Sequence, residues 1–152
     1  MRAVIQRVKK ASVTVNGAVA GKCGPGFLIL LCVMNEDTEE DIKTLSAKTV
    51  KLRIFEDENG KINRSLSDVG GELLVISQFT LAANCVHGNR PDFFAAASPD
   101  KAKEYFDRFV ADIKQYVPAT ETGVFGEHMT VELINDGPFT ITLDTNDLKK
   151  KK

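Results

Sequence analysis

Residues 72–81 read Glu-Leu-Leu-Val-Ile-Ser-Gln-Phe-Thr-Leu, and no other stretch constrains the fold as tightly. Leu73, Leu74, Val75 and Ile76 are apolar in succession. A strand with one face in water alternates apolar and polar residues, so this unbroken run suits a strand covered on both faces. Gly70-Gly71 opens the stretch, and polarity arrives abruptly at Ser77 and Gln78. A buried strand ending in a hydroxyl and an amide holds those groups on a rigid support at the edge of the core, where sites are built. Taken alone, the run is more simply a core strand whose Ser and Thr bond neighbouring backbone.

Before this stretch, residues 2–8 form a strand-like run, and Ala11, Val13 and Val15 alternate with Ser12 and Thr14. Asn16-Gly17 is a strong hairpin signal, followed by a return strand over 18–23. Gly24-Pro25-Gly26 turns the chain into a second apolar strand over 27–33. Thr38, with Glu39, Glu40 and Asp41 after it, marks a helix start whose acids favour the positive end of the helix. Ile42, Leu45, Thr49 and Leu52 repeat at helical spacing, which predicts a helix ending near Phe55. Residues 56–60 form an acidic, solvated turn whose spacing fits no calcium loop.

After it, residues 82–91 form a polar loop, and Ser98-Pro99-Asp100 starts a second helix. Tyr105, Phe106, Phe109, Val110, Ile113 and Val117 give that helix one apolar stripe, read as core packing. Residues 123–126 are a loop carrying Phe125, and 129–134 a strand. Asn135-Asp136-Gly137-Pro138 then turns the chain into a last strand over 139–143. The prediction is an α/β chain with a mixed, antiparallel-rich sheet system and two main helices. One domain is expected over 1–148, followed by a solvated lysine tail at 149–152.

A chain of 152 residues buries a sufficient core without disulfides or structural metal. Cys23, Cys32 and Cys85 are scattered, in no metal-ligand spacing, and read as reduced thiols. With no signal peptide and no apolar run long enough for a bilayer, a cytoplasmic protein is expected. The formal net charge of -1 supplies no basic field for a long nucleic-acid backbone, so an RNA partner would be held at an end or loop.

The familiar catalytic outfits are missing: no Gly-x-Ser-x-Gly elbow, no phosphate-binding Gly-rich loop, no His-Glu-x-x-His helix. His87 and His128 are the only histidines, and neither sits in a triad order. Ser77 and Thr80 are candidate nucleophiles, but a hydroxyl without an adjacent base is weak at neutral pH. If the chain is an enzyme, backbone groups or the substrate must supply much of the chemistry, and no metal or cofactor is expected.

The motifs nonetheless form a pattern. The opening Met-Arg-Ala-Val-Ile-Gln-Arg-Val, Leu52-Arg53-Ile54-Phe55 with Gly60-Lys61, Ser77-Gln78-Phe79-Thr80-Leu81 and Asn135-Asp136-Gly137-Pro138-Phe139-Thr140 occur in this order. Gly88-Asn89-Arg90-Pro91 and Phe125-Gly126 followed by Met129 lie between them. Together they resemble the D-aminoacyl-tRNA deacylase family over about residues 1–145. The sequence departs from that family's pattern at 82–87 and at Phe139, where a smaller Val is usual.

The resemblance implies a three-layer β/β/α fold working as a homodimer. It implies hydrolysis of the ester joining a D-amino acid to the terminal ribose of tRNA, with L-aminoacyl-tRNA spared and glycyl-tRNA mischarged on tRNA(Ala) also cleaved. Ser77, Gln78, Phe79 and Thr80 would form the catalytic strand end, with backbone N–H groups near Phe79 and Thr80 stabilising the oxyanion. The Gly137-Pro138 turn, cis and braced by Arg7, would enter the partner's pocket, and Phe125 and Met129 would shape the space around the terminal adenosine. Two other readings stay open: a sister deacylase for a small L-amino acid on noncognate tRNA, and a non-catalytic module that only holds an RNA 3′ end.

Overall fold

The computed structural model describes residues 1–150. Strand β1 (Arg2–Val15) is the axis of the sheet. Its first half pairs antiparallel with β3 (Gly26–Cys32) and its second half with β2 (Ala18–Cys23), returned by the Asn16-Gly17 turn with both residues at positive φ. That pair of left-handed residues is the two-residue hairpin the dipeptide predicts. Along its other edge β1 pairs antiparallel with β8 (Thr130–Asp144). Beyond β3 the sheet turns parallel, through β6 (Glu72–Ser77) to β7 (Thr120–Thr122).

The sheet curls on itself. A Cβ at Gly21 of β2 would overlap the Thr122 carbonyl oxygen of β7, so only glycine lets these two strands approach so closely. The curl explains the unbroken apolar runs. Phe27, Ile29, Leu31, Leu73 and Val75 point to a core beneath the helices α1 (Glu39–Lys51) and α3 (Pro99–Lys114). Leu28, Leu74 and Ile76 point instead to a second core inside the curl, with Val8, Ala11 and Val13. Sheet, sheet and helices form the three layers expected, with Ser98 and Pro99 opening α3.

Three expectations change. Helix α1 stops at Lys51, because Leu52 takes an extended ψ of 124°. Buried Ile54 then spends its carbonyl on Arg7, and Phe55 stacks on Phe27 at 5.3 Å. The chain continues as a short hairpin, β4 (Phe55–Glu56) with β5 (Ile62–Arg64), followed by the short helix α2 (Leu66–Val69). Residues 135–138 do not reverse the chain. β8 runs antiparallel to β1 on both sides of them, with register shifts near Val8, so they form a bulge in one long strand.

Lys149, expected in a solvated tail, is instead part of the fold. It closes a last helix α4 (Thr145–Lys149), and its Nζ lies 2.6 Å from Oδ1 of buried Asp41. Burial alone would raise the Asp41 carboxyl; bonds with Lys149, Thr145 and Thr38 outweigh it and hold the group below the usual carboxylate range. Lys151 and Lys152 lie outside the described residues. No helix among the described residues is long and apolar enough to cross a membrane.

Candidate active site

At the C-terminal end of β6 the parallel pairing stops at Ser77, opposite Leu31. The Gln78 N–H still reaches the Leu31 carbonyl (2.8 Å), and then the chain tightens into a 3₁₀ turn, Phe79–Ala82. The first bond of that turn runs from the Leu81 N–H to the Gln78 carbonyl (3.3 Å). The N–H groups of Phe79 and Thr80 precede it, so the turn itself offers them no acceptor. The ledge is held from three sides. Gln78 Nε2 donates to Thr80 Oγ1 (2.5 Å), the Cys32 thiol lies 3.6 Å from the Phe79 carbonyl, and Arg2 donates to the Leu81 carbonyl (3.1 Å).

This ledge forms one lip of a pocket of about 590 Å³. Ser77, Gln78 and Phe79 line it together with Phe125, Met129 and the buried Phe106. Phe79, 58% exposed, packs edge-on against Phe93 at 5.1 Å. A Cβ at Gly123 would meet the Met129 sulfur and crowd Ile76, so a larger residue there would push the Met129 side chain aside. The wall is thus mostly apolar, with Glu127 and His128 in it, and Ser77 and Gln78 make the lip polar, the arrangement of a site that holds an organic ligand and orients it with few polar groups. Thr80, exposed beside the lip, is outside the lining.

Arg7, Gly137 and Pro138 lie elsewhere. From β6 to β8 the sheet passes through β3 and β1, three strand spacings or about 14 Å. Ser77 is level with Ala3 of β1, and Arg7 is about 13 Å further along that strand. Gly137-Pro138 is a cis bond, as expected, and both residues are exposed. Buried Arg7 holds the bulge: its side chain donates to the carbonyls of Asp136 (2.9 Å) and Ile54 (2.5 Å), and its guanidinium lies 4.6 Å over the Phe139 ring. Asn135 Nδ2 bridges the Arg7 and Phe139 carbonyls (2.9 and 3.0 Å), and Asn135 Oδ1 accepts from the Phe139 N–H (3.0 Å).

Sequence reasoning missed part of the wall. Glu127 and His128 line the pocket, whereas His87 is exposed and outside the lining. The signal for His128 was its place between Phe125 and Met129. Phe93 also lines the pocket, and the polar loop before it gave no hint of that. Burial pushes the Cys32 thiol up to about 11, and Cys23 likewise. Both are uncharged at neutral pH and poor nucleophiles. Iodoacetamide at pH 8 is therefore expected to add to exposed Cys85 and to neither buried thiol. Peptide mass spectrometry would read this, and an early adduct on Cys32 would contradict it.

The family model for D-Tyr-tRNA(Tyr) deacylase matches residues 4–144. A D-aminoacyl-tRNA deacylase of Dictyoglomus turgidum is 56% identical over 152 residues, covering 100% of this chain and 97% of its own. Another from Thermosipho africanus is 54% identical over 145 residues, covering 95% and 97%. A solved structure of the c-Myc DNA Unwinding Element Binding Protein superposes with a TM-score of 0.89 at 41% identity, covering 95% of this chain and 98% of that one.

Proposed function

The chain belongs to the D-Tyr-tRNA(Tyr) deacylase family, and from that premise we propose that it hydrolyses D-aminoacyl-tRNA at the ledge of residues 77–80. The aminoacylated 3′ adenosine enters the pocket, with Phe125 and Met129 against the nucleoside. Water adds to the ester carbonyl, and the oxyanion takes hydrogen bonds from the Phe79 and Thr80 N–H groups. Donors already fixed in place cost no reorganisation at that moment. The tetrahedral intermediate then expels the ribose 3′ oxygen, giving free D-amino acid and tRNA. The neighbouring ribose hydroxyl assists in activating the water, so Thr80 is no covalent nucleophile. What supports this reading above all is the pair of N–H groups at the start of the 3₁₀ turn, beside the pocket.

Chirality is sorted by a second copy of the chain. The Gly137-Pro138 bulge of the partner completes the pocket, and its backbone carbonyls accept from the amino group of the D form. An L side chain collides with that backbone. The rejection is steric and indifferent to which amino acid is attached. Glycine has no side chain to reject, so glycyl-tRNA is cleaved as well. The DNA-unwinding-element binding in the name of the 41%-identical structure does not suit this chain, because a net charge of -1 gives a DNA backbone little to hold.

Purified protein is expected to release D-tyrosine from D-tyrosyl-tRNA and to leave L-tyrosyl-tRNA intact, measured by loss of acid-precipitable label. Equal rates on the two enantiomers would sink chiral selection. No turnover above buffer would favour a module that only holds RNA ends, and turnover confined to a small L-amino acid would favour the sister deacylase.

A further inference from the structure

Phe94 is the most exposed large apolar side chain among the described residues, at 87%. A single exposed apolar side chain is ordinary on a protein surface; the setting of this one is not. It follows Phe93, which lines the pocket and packs edge-on against Phe79. Its backbone is fixed: Asn35 Nδ2 donates to the Phe94 carbonyl (2.6 Å) and the Asn35 N–H to the Ala95 carbonyl (3.0 Å). On its other side, Asp92 Oδ1 accepts from the Phe94 N–H (3.4 Å). A cation from α3 reaches the same Asn35: Lys101 Nζ donates to the Asn35 carbonyl at 2.6 Å and lies 5.1 Å from the Tyr105 ring centroid, and an ammonium has further donors to offer.

We propose that Phe94 is a stacking platform for the base of the nucleotide preceding the terminal adenosine, with Lys101 facing the phosphodiester between them. This rests on the deacylase reading for its occupant. The terminal nucleoside in the pocket is covalently joined to the rest of a single strand, which must leave past the lip that Phe79 and Phe93 form. An anchored aromatic ring beside a lysine is how proteins hold single-stranded nucleic acid irrespective of sequence, the ring taking a base face and the cation the backbone. The backbone that carries the ring is already fixed, so only the side chain itself must be ordered when the strand arrives.

The test compares binding of the trinucleotide CCA with binding of adenosine monophosphate, by calorimetry on the full chain. Wild type is expected to prefer CCA. Phe94→Ala should weaken CCA about five- to 150-fold, the range of base–aromatic stacking, and change the mononucleotide by less than about twofold. Phe94→Tyr should retain CCA binding and Phe94→Leu should not, which separates stacking from plain apolar contact. Three results would overturn the proposal: no wild-type preference for CCA, equal losses on both ligands, or a Phe94→Ala protein that sediments as a smaller species because a second copy had covered the ring. A wild type that shows the CCA preference and never hydrolyses D-tyrosyl-tRNA would sink the deacylase reading and support this one.

Discussion

Gly137→Ala is expected to lower deacylation by about 10²-fold or more while leaving the fold and its cooperative unfolding in place. A Cβ at this position would overlap the Phe139 backbone nitrogen and lie 2.9 Å from the Phe139 Cα and Cβ. These are backbone and near-backbone atoms, with no flexible side-chain end to swing away. The bulge must therefore move, and it moves against a clamp made by Arg7 and Asn135 on either side. Misplacing a positioning group by about an ångström typically costs about 10²-fold in rate. The position itself is exposed and belongs to neither core, so most packing energy is untouched. Gly60→Ala is the matched control. Gly60 has a φ of 73° and nothing within 4 Å of its would-be Cβ, so that change costs stability at a hairpin tip far from any proposed chemistry. Kinetics of both variants on D-tyrosyl-tRNA, beside their thermal melts, make the comparison; full activity in Gly137→Ala would remove the bulge from the site.

The layers were legible because they are written in local runs. Residues 27–33 and 73–76 are apolar without alternation, and each is covered on both faces, one side by the helices and the other by the curl of the sheet. Asn16-Gly17 declared its hairpin, and the arrival of polarity at Ser77 marked the ledge to the residue. Failures came where the deciding partner is far away in sequence. Asp136-Gly137 between two apolar runs reads as a hairpin. It is a bulge because Asn135 bonds back to the Arg7 and Phe139 carbonyls and returns the strand to β1. Nothing near residue 135 announces that Arg7 is opposite. The same holds for the end of α1, where Ile54 leaves the helix for a carbonyl contact with Arg7, and for Phe93, which reaches the pocket through its loop's pairing with residues 33–35. The ledge was readable, and the resemblance brought in Phe125 and Met129; Phe93 depended on tertiary contacts.

Mixing two inactive variants should restore activity. If each pocket takes its ledge from one copy and its bulge from the other, then a defect in the bulge and a defect in the pocket reside in different sites of a mixed dimer. Gly137→Ala supplies the first. Ala96→Trp supplies the second: Ala96 lines the pocket, and an indole there fills space the terminal adenosine needs. Within one copy Ala96 bridges to Met34, just past the end of β3, while Gly137 lies in β8 on the far side of β1, so neither mutation reaches the other's machinery directly. In a mixed dimer one site pairs an open pocket with an intact bulge, and the other carries both defects. With equal amounts and random exchange, half the dimers are mixed and half of their sites are sound, which sets the recovery at about a quarter of wild-type activity. Subunits would be exchanged by dilution and reconcentration, or co-expressed with different tags and purified on both. The dually tagged species should then reach about half the wild-type rate, while each parent stays inactive. A site built within one copy predicts no recovery at all, since every copy in the mixture would carry one of the two lesions.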